Sequence, residues 1–221
     1  MSVNWDKYEF EHLWQSRGVN VIAGVDEAGR GPLAGPVVVA AVILPLDDSS
    51  FKVGVDDSKA LTDARRRSLY EELTGDSRVR WAVSVKDAAT IDRLNILRAT
   101  HEGMREAVQS LGDDVEVALV DGLPVPDFPV QAQFIVKGDA RSASIGAASI
   151  IAKVTRDRMM EELETVYPGY GFAKHKGYGT AAHLAALEKL GACPEHRRSF
   201  APVADALGLL PKKAEQLSLP L

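Results

Sequence analysis

The sequence predicts an α/β fold in which helices flank a mixed five-stranded sheet and additional helices follow toward the C-terminus. Five segments of strand length, apolar throughout or alternating between apolar and polar residues, predict the sheet. Segments with apolar residues three and four positions apart lie between the strands and after the last one, and they predict the helices. A chain of 221 residues has the size of one domain with a single core.

The first two predicted strands, at 20–25 and 36–44, enclose a loop at 26–35 that is rich in glycine and proline. The second strand, PVVVAAVIL, is apolar without interruption, which is typical of a strand buried on both faces. A charged turn at 55–59 then precedes a helix at 62–75, which glycine ends.

The rest of the chain predicts one helix among three further strands and then two more helices. In chain order these elements are a strand at 79–85, a helix at 92–112, strands at 115–120 and 130–136, and helices at 142–166 and 180–190. The helix at 142–166 begins with small residues, which let a helix lie close to a sheet. We therefore expect this helix start to serve packing rather than ligand binding.

Composition predicts a cytoplasmic protein, which we expect to be a monomer. No segment approaches the roughly 18 uninterrupted apolar residues of a membrane span, and the N-terminus lacks a signal-peptide pattern. The single cysteine, Cys193, excludes an internal disulfide, and we expect it to be buried as a small apolar side chain. The net charge of -5 does not suggest a nucleic-acid partner, although basic residues cluster locally, among them Lys153, Arg156 and 196–198.

Four acidic residues follow three of the predicted strands: Asp26 and Glu27 the first, Asp121 the fourth, and Asp139 the fifth. If these strands are parallel neighbours, the carboxylates meet at one edge of the sheet. A divalent cation relieves the repulsion among them, and oxygen ligands without Cys or His favour Mg²⁺ or Mn²⁺ over zinc. Such a site suits phosphodiester hydrolysis. Each acid alone is equally compatible with an exposed turn, and Asp139 with a helix start.

Several motifs, in order along the chain, resemble the type 2 ribonuclease H family. The motifs are DEAGRGPLAGP at 26–36, DSK at 57–59, VDG at 120–122, KGD at 137–139, AASIIAKV at 147–154, YP at 167–168, HKGY at 175–178 and HRRSF at 196–200. The first of these is highly specific, and the resemblance extends over roughly residues 17–209.

The resemblance implies a ribonuclease H-like fold and a role for each matching site residue. It implies that the metal ligands are Asp26, Glu27, Asp121 and Asp139. It also implies that Gly29, Arg30 and Gly31 read the ribose 2′-hydroxyl, the group that distinguishes RNA from DNA. Tyr178 matches the tyrosine that stacks on the sugar of the following deoxyribonucleotide, and Ser58 and Lys59 would contact phosphates.

The implied activity is two-metal-ion cleavage on the 5′ side of a ribonucleotide, leaving 3′-hydroxyl and 5′-phosphate ends. The implied substrates are RNA/DNA hybrids and duplex DNA that contains ribonucleotides. Two alternatives stay open from the sequence: another metal-dependent nuclease of the same fold, and a non-catalytic nucleic-acid-binding protein.

The two ends of the chain lie outside the predicted catalytic domain at 17–209. We expect a helical N-terminal extension at 1–16 and a flexible tail at 210–221. The tail resembles the short glutamine-and-leucine peptides with which bacterial replication and repair proteins bind the sliding clamp, through Gln216, Leu217, Leu219 and Leu221. The alternative is a tail that packs on its own domain.

Overall fold

The computed structural model describes residues 7–46 and 61–209, and in them five strands form one mixed sheet. The strands are β1 (Ile22–Ala28), β2 (Val37–Ile43), β3 (Arg80–Lys86), β4 (Val117–Asp121) and β5 (Gln131–Ile135). Their order across the sheet is β3-β2-β1-β4-β5. β2 is antiparallel to β1 and β3, whereas β1, β4 and β5 are parallel neighbours. The predicted mixed five-stranded sheet is confirmed.

Eight helices accompany the sheet in the described residues. They are α1 (Glu9–Gln15), α2 (Asp63–Gly75), α3 (Ala88–Leu94), α4 (Ile96–Gln109), α5 (Ala143–Val166), α6 (Phe172–His175), α7 (Ala181–Leu190) and α8 (Ala201–Ala206). A 3-10 turn, Gly138–Ala140, joins β5 to α5. The predicted C-terminal helices are therefore present, and none of the described helices is long and apolar enough to cross a membrane.

The long helix α5 packs across β1 and β2 on one face of the sheet. Its small residues allow the close approach that the sequence predicted, and the closest point is Gly24 of β1. A Cβ atom added to Gly24 would lie 2.1 Å from the main-chain carbonyl carbon of Ser144. Only glycine fits at this crossing, and α5 is thereby held directly behind the strand that carries Asp26.

The other face of the sheet is covered by α4, whose Met104, Ala107 and Val108 are buried against it. The prediction of one helix over 92–112 was wrong, because Asn95 separates α3 from α4. Asn95 has a positive φ of 70°, and its side chain accepts a hydrogen bond from the main-chain N–H of Arg98, which caps α4.

The N-terminal helix α1 lies within the predicted helical extension and packs on the start of α5. Its Glu11 is buried and accepts hydrogen bonds from the hydroxyl of Ser142 and the main-chain N–H of Ser144. Trp14 donates a hydrogen bond to Gln133 of β5 over 2.8 Å. These contacts attach α1 to the start of α5 and to β5.

Candidate active site

The strand β1 carries both Asp26 and Glu27 and continues beyond them. Asp26 pairs with Ala40 of β2, and the pairing extends to Ala28. The expectation that a loop begins at Asp26 was therefore wrong, because the antiparallel partner β2 keeps this segment extended. Successive side chains of a strand point to opposite faces. Asp26 is accordingly buried at 5% exposure, whereas Glu27 is partly exposed.

The ends of β4 and β5 bring two more acids to the same edge of the sheet. Asp121 is the last residue of β4, and its Oδ1 accepts a hydrogen bond from the main-chain N–H of Gly138 over 2.6 Å. The next residue, Asp139, lies in the 3-10 turn after β5 and is buried. The parallel order of β1, β4 and β5 thus brings the ends of the three strands that carry or precede the predicted acids to one edge of the sheet.

A cleft of about 370 Å³ opens at this edge of the sheet. It is lined by acidic, basic and glycine residues: Asp26, Glu27, Ala28, Gly29, Arg30, Gly31, Arg66, Asp121, Ser149, Lys153, Arg156 and Tyr178. We call it the acidic cleft. Asp139 is not among these lining residues; it is buried and directly follows Gly138, whose main-chain N–H donates to Asp121.

The electrostatics of the cleft oppose full ionisation of its acids. Burial raises the pKa of Asp26 well above its usual value, and the charges of Glu27 and Asp121 raise it further. A hydrogen bond from Ser149 acts in the opposite direction. Burial also raises the pKa of Glu27, while Arg30, 3.3 Å from Glu27, lowers it. The cleft therefore favours an additional positive charge, either a proton or a cation.

The donor atoms of the cleft fit a hard divalent cation. Within residues 7–46 and 61–209, no three His, Cys, Asp or Glu side chains by themselves form a group that could hold a metal ion. Mg²⁺ does not require such a group, since it usually binds one or two carboxylates and completes its octahedron with water and substrate phosphate. Asp26, Glu27 and Asp121 offer only oxygen atoms and line a cleft open to solvent, which agrees with this mode of binding.

The segment after β1 places the Gly-Arg-Gly triplet on one wall of the cleft. Gly29 has a positive φ of 99°, and a Cβ atom added there would lie 2.0 Å from Nε of Arg156. Arg30 extends into solvent, with about half of its side chain exposed. A Cβ atom added to Gly31 would lie 3.6 Å from Cε1 of Tyr178, so the tyrosine ring lies over this glycine. The structure thus brings Tyr178 and the triplet together.

Two buried arginines hold the Gly29–Pro36 segment from behind. Arg197 donates hydrogen bonds to the carbonyl oxygens of Gly29, Arg30 and Gly35, at 2.6, 2.9 and 3.0 Å. Arg156 donates hydrogen bonds to the carbonyl oxygens of Ala34, Pro36 and Lys176, at 3.2, 2.9 and 2.9 Å. Burial lowers the pKa of Arg156 to about 10 and that of Arg197 to about 9. Both remain cations at neutral pH, and their hydrogen bonds fix the path of the segment.

Sequence reasoning missed part of the cleft. Ser149 belongs to the small-residue start of α5, where we expected packing alone, yet it bonds to Asp26 and lines the cleft. Arg66 of α2 also lines it, and no pattern in the sequence pointed to this residue. Lys153 and Arg156 also line the cleft, and the sequence indicated them only as members of a basic cluster. The predicted phosphate-contacting residues Ser58 and Lys59, and the predicted tail anchors Gln216, Leu217, Leu219 and Leu221, lie outside the described residues.

Comparisons with known proteins agree with this geometry. Residues 23–203 match the family model described as Ribonuclease HII. The chain is 56% identical to a Ribonuclease HII from Geobacter sulfurreducens over 202 residues, which are 91% of each chain. It is similar to the ribonuclease H2 from Pyrococcus horikoshii OT3, with a TM-score of 0.72, 27% identity, and coverage of 85% and 97% of the two chains. A PCNA:RNase HII complex from Archaeoglobus fulgidus gives a TM-score of 0.71 at 28% identity, with coverage of 82% and 95%.

Proposed function

Because the chain belongs to the ribonuclease HII family, it is a divalent-metal-dependent endonuclease of the ribonuclease H type, and we propose a role for each of the main residues of the acidic cleft. Its substrates are RNA/DNA hybrids and duplex DNA with embedded ribonucleotides, and it cuts on the 5′ side of a ribonucleotide. One observation carries the assignment of the site. Three buried or half-buried carboxylates line the same cleft as a Gly-Arg-Gly triplet, and two buried arginines hold that triplet in place.

The acids of the cleft would hold the metal. Asp26, Glu27 and Asp121 supply oxygen ligands, and Asp139 joins them from the turn after β5. Bound divalent cations lower the pKa of an attacking water and stabilise the departing 3′ oxygen. We propose Mg²⁺ or Mn²⁺, because both prefer oxygen ligands. Arg30, half exposed and 3.3 Å from Glu27, would be available to contact the substrate once a cation compensates the charge of Glu27.

The loop and Tyr178 would select the cleavage position. The main-chain groups of Gly29, Arg30 and Gly31 would hydrogen bond to the 2′-hydroxyl of a sugar. Gly31 has no side chain to hinder the sugar, and Gly29 makes room for Arg156 behind the loop. Tyr178 is 48% exposed beside Gly31, which leaves its ring available to stack on the next sugar. Ser58 and Lys59 would contact phosphates, together with Lys153 in the cleft.

Cleavage of a duplex that contains a single ribonucleotide tests this proposal. We expect one cut on the 5′ side of the ribonucleotide with Mg²⁺ or Mn²⁺ and none with EDTA. An all-DNA duplex of the same sequence is the control and should remain intact. Cleavage of the all-DNA duplex would favour another nuclease of the same fold, and binding without cleavage would favour a non-catalytic role.

The tail offers a second, independent function as a clamp-binding peptide. The similar structure from Archaeoglobus fulgidus is a complex of an RNase HII with PCNA. This supports the proposal that Gln216, Leu217, Leu219 and Leu221 bind the sliding clamp, with the tail as the tether. A few apolar anchors in a pocket are sufficient for micromolar affinity, around -8 kcal/mol.

Calorimetry with a synthetic peptide of residues 212–221 and the cognate clamp tests this second function. We expect binding in the micromolar range, about -8 kcal/mol. Deletion of 216–221 should abolish clamp binding by the protein and leave cleavage of a short free duplex unchanged. Loss of cleavage in the deletion variant would instead indicate that the tail packs on its own domain.

A further inference from the structure

A layer of histidines lies beneath the turn that carries Tyr178, and the proposed chemistry does not use it. His183 and His196 are 0% and 1% exposed. Their neighbour Cys193 is also buried. The ring of His175 stacks on that of His183, with the ring centroids 4.5 Å apart.

Three hydrogen bonds join this layer to the main chain of Tyr178. The main-chain N–H of Cys193 donates to Nδ1 of His196 over 3.0 Å. Nε2 of His196 lies 3.1 Å from Nε2 of His183. Nδ1 of His183 lies 3.0 Å from the carbonyl oxygen of Tyr178. The contacts form a continuous path from Cys193 to the tyrosine, and Sγ of Cys193 also lies 3.1 Å from Nδ1 of His196.

The two ends of the path fix the positions of the ring protons. A main-chain N–H can only donate, so Nδ1 of His196 carries no proton, and the proton of a neutral His196 ring lies on Nε2. A carbonyl oxygen can only accept, so Nδ1 of His183 carries a proton and its Nε2 accepts. Both ends therefore require the same central bond, in which Nε2–H of His196 donates to Nε2 of His183.

We propose that His183 and His196 are positioning residues that hold the Tyr178 turn over Gly31 through this ordered path of hydrogen bonds. The inference rests on the stacking role proposed above for Tyr178. The opposite side of the same turn is also fixed, since the carbonyl oxygen of Gly177 accepts from the main-chain N–H of Leu33 over 2.8 Å. The path thus completes the attachment of the tyrosine to the loop that reads the 2′-hydroxyl.

The path requires both rings to be neutral. A second proton on either ring would place two N–H groups face to face, at the central bond or opposite Cys193. Burial keeps both rings neutral by lowering the pKa of His183 and that of His196, the latter to about 4. The titratable groups around the pair are Tyr170, His175 and Cys193, with Glu195 next to Cys193, and burial raises the pKa of the Cys193 thiol.

Nitrogen NMR of the protein labelled with ¹⁵N-histidine tests the proton positions directly. At neutral pH we expect His183 to be protonated on Nδ1 alone and His196 on Nε2 alone. This result does not depend on any activity. Protonation of both rings on the same type of nitrogen, or of either ring on both nitrogens, would overturn the inference.

Two variants of His196 separate its two hydrogen bonds. H196N keeps an acceptor for the Cys193 N–H and removes the donor to His183, whereas H196Q keeps a donor that reaches His183. We expect H196N to lower kcat/KM about tenfold on a duplex with a single ribonucleotide, as loss of the stacking contact would. H196Q should stay close to wild type. H12Q, at an exposed site of α1, is the matched control.

A double-mutant cycle links the effect to Tyr178. Because His196 acts through the tyrosine, H196N should add no further loss in a Y178A background. Additive losses, or a folded H196N with the activity of H12Q while Y178A is impaired, would overturn the positioning role. If Y178A itself cleaves like wild type, the role proposed for Tyr178 fails, and the NMR result still decides the hydrogen-bond path.

Discussion

The acidic cleft and the buried polar residues behind it differ in how their charges are compensated. In the cleft, burial and mutual repulsion raise the pKa of Asp26, and its neighbours Glu27 and Asp121 add to the negative charge. Behind it, two buried guanidinium groups donate six hydrogen bonds to main-chain carbonyl oxygens. We call Arg156, His183, His196 and Arg197 the support layer. The comparison indicates that charge is poorly compensated in the cleft, where we propose that cation and substrate bind. Behind the cleft, polar groups with complete hydrogen bonding hold the backbone.

Removing a charge from the cleft should produce the largest loss of activity without loss of stability. Asp121→Asn keeps an oxygen that can accept from Gly138 and removes one negative charge. We expect cleavage to be abolished in single-turnover assays, because a proposed metal ligand is lost. The midpoint of thermal unfolding should hold or rise, since repulsion with Asp26 and Glu27 is relieved. Wild-type turnover in this variant would refute the assignment of the cleft.

Removing a charge from the support layer should have the opposite effect on stability. Arg197→Met leaves the buried carbonyl oxygens of Gly29 and Gly35 and the partly buried one of Arg30 without their donor, at a cost of about 1–3 kcal/mol for each buried one. We expect the free energy of unfolding, measured in urea, to fall by about 3 kcal/mol or more. Arg198→Met, at the exposed neighbouring position, is the control and should change stability little. If both variants unfold alike, the guanidinium contacts of Arg197 do not hold the loop.

The two regions should also respond to acid with opposite signs. His196 is neutral in the folded protein, where its pKa is lowered to about 4, whereas in the unfolded chain it gains a proton below about 6.5. Stability therefore falls as the pH drops from about 6.5 toward 4, by about 2 kcal/mol between pH 7 and pH 5. Asp26, whose pKa is raised in the folded state, contributes stability that increases as the pH falls through that pKa.

Thermal unfolding of H196Q and D26N between pH 4 and pH 8 separates these contributions. The advantage of wild type over H196Q should shrink as the pH falls below about 6.5. The advantage of D26N over wild type should grow as the pH rises from 4 to 8, because Asp26 becomes more ionised. If the plots of unfolding midpoint against pH are parallel for all three proteins, the protonation of neither His196 nor Asp26 is linked to folding.

Tyr178 lies between the two regions, and its replacement should produce the smallest effect. Tyr178→Ala should slow cleavage at a single embedded ribonucleotide about tenfold, as expected for loss of a stacking contact worth about 1–3 kcal/mol. Stability should change little, because the ring is 48% exposed. Tyr178→Phe keeps the stacking surface and should retain near-normal kcat/KM. An unchanged rate for the alanine variant would show that the ring has a structural role only.

The sequence predicted the elements that depend on local patterns. The apolar run of β2, the small residues at the start of α5 and the strand-end position of Asp121 all appear in the structure. These features have a local cause, since periodicity and turn chemistry act over a few residues. One exception is local and the other depends on a neighbouring strand. Asn95 broke a predicted helix by adopting a positive φ, and pairing with β2 extended β1 beyond Asp26.

The sequence by itself determined which acids, glycines and tyrosine stand near strand and helix ends, and its motifs indicated the family. Only the tertiary structure decided what holds them. Arg197 and the Gly29 carbonyl that it bonds are 168 residues apart along the chain, and His183 and His196 meet only because both pack beneath Tyr178. No local pattern distinguishes a buried arginine that bonds to carbonyl oxygens from one on the surface. The distinction arises when the sheet order brings distant segments together and removes water from between them.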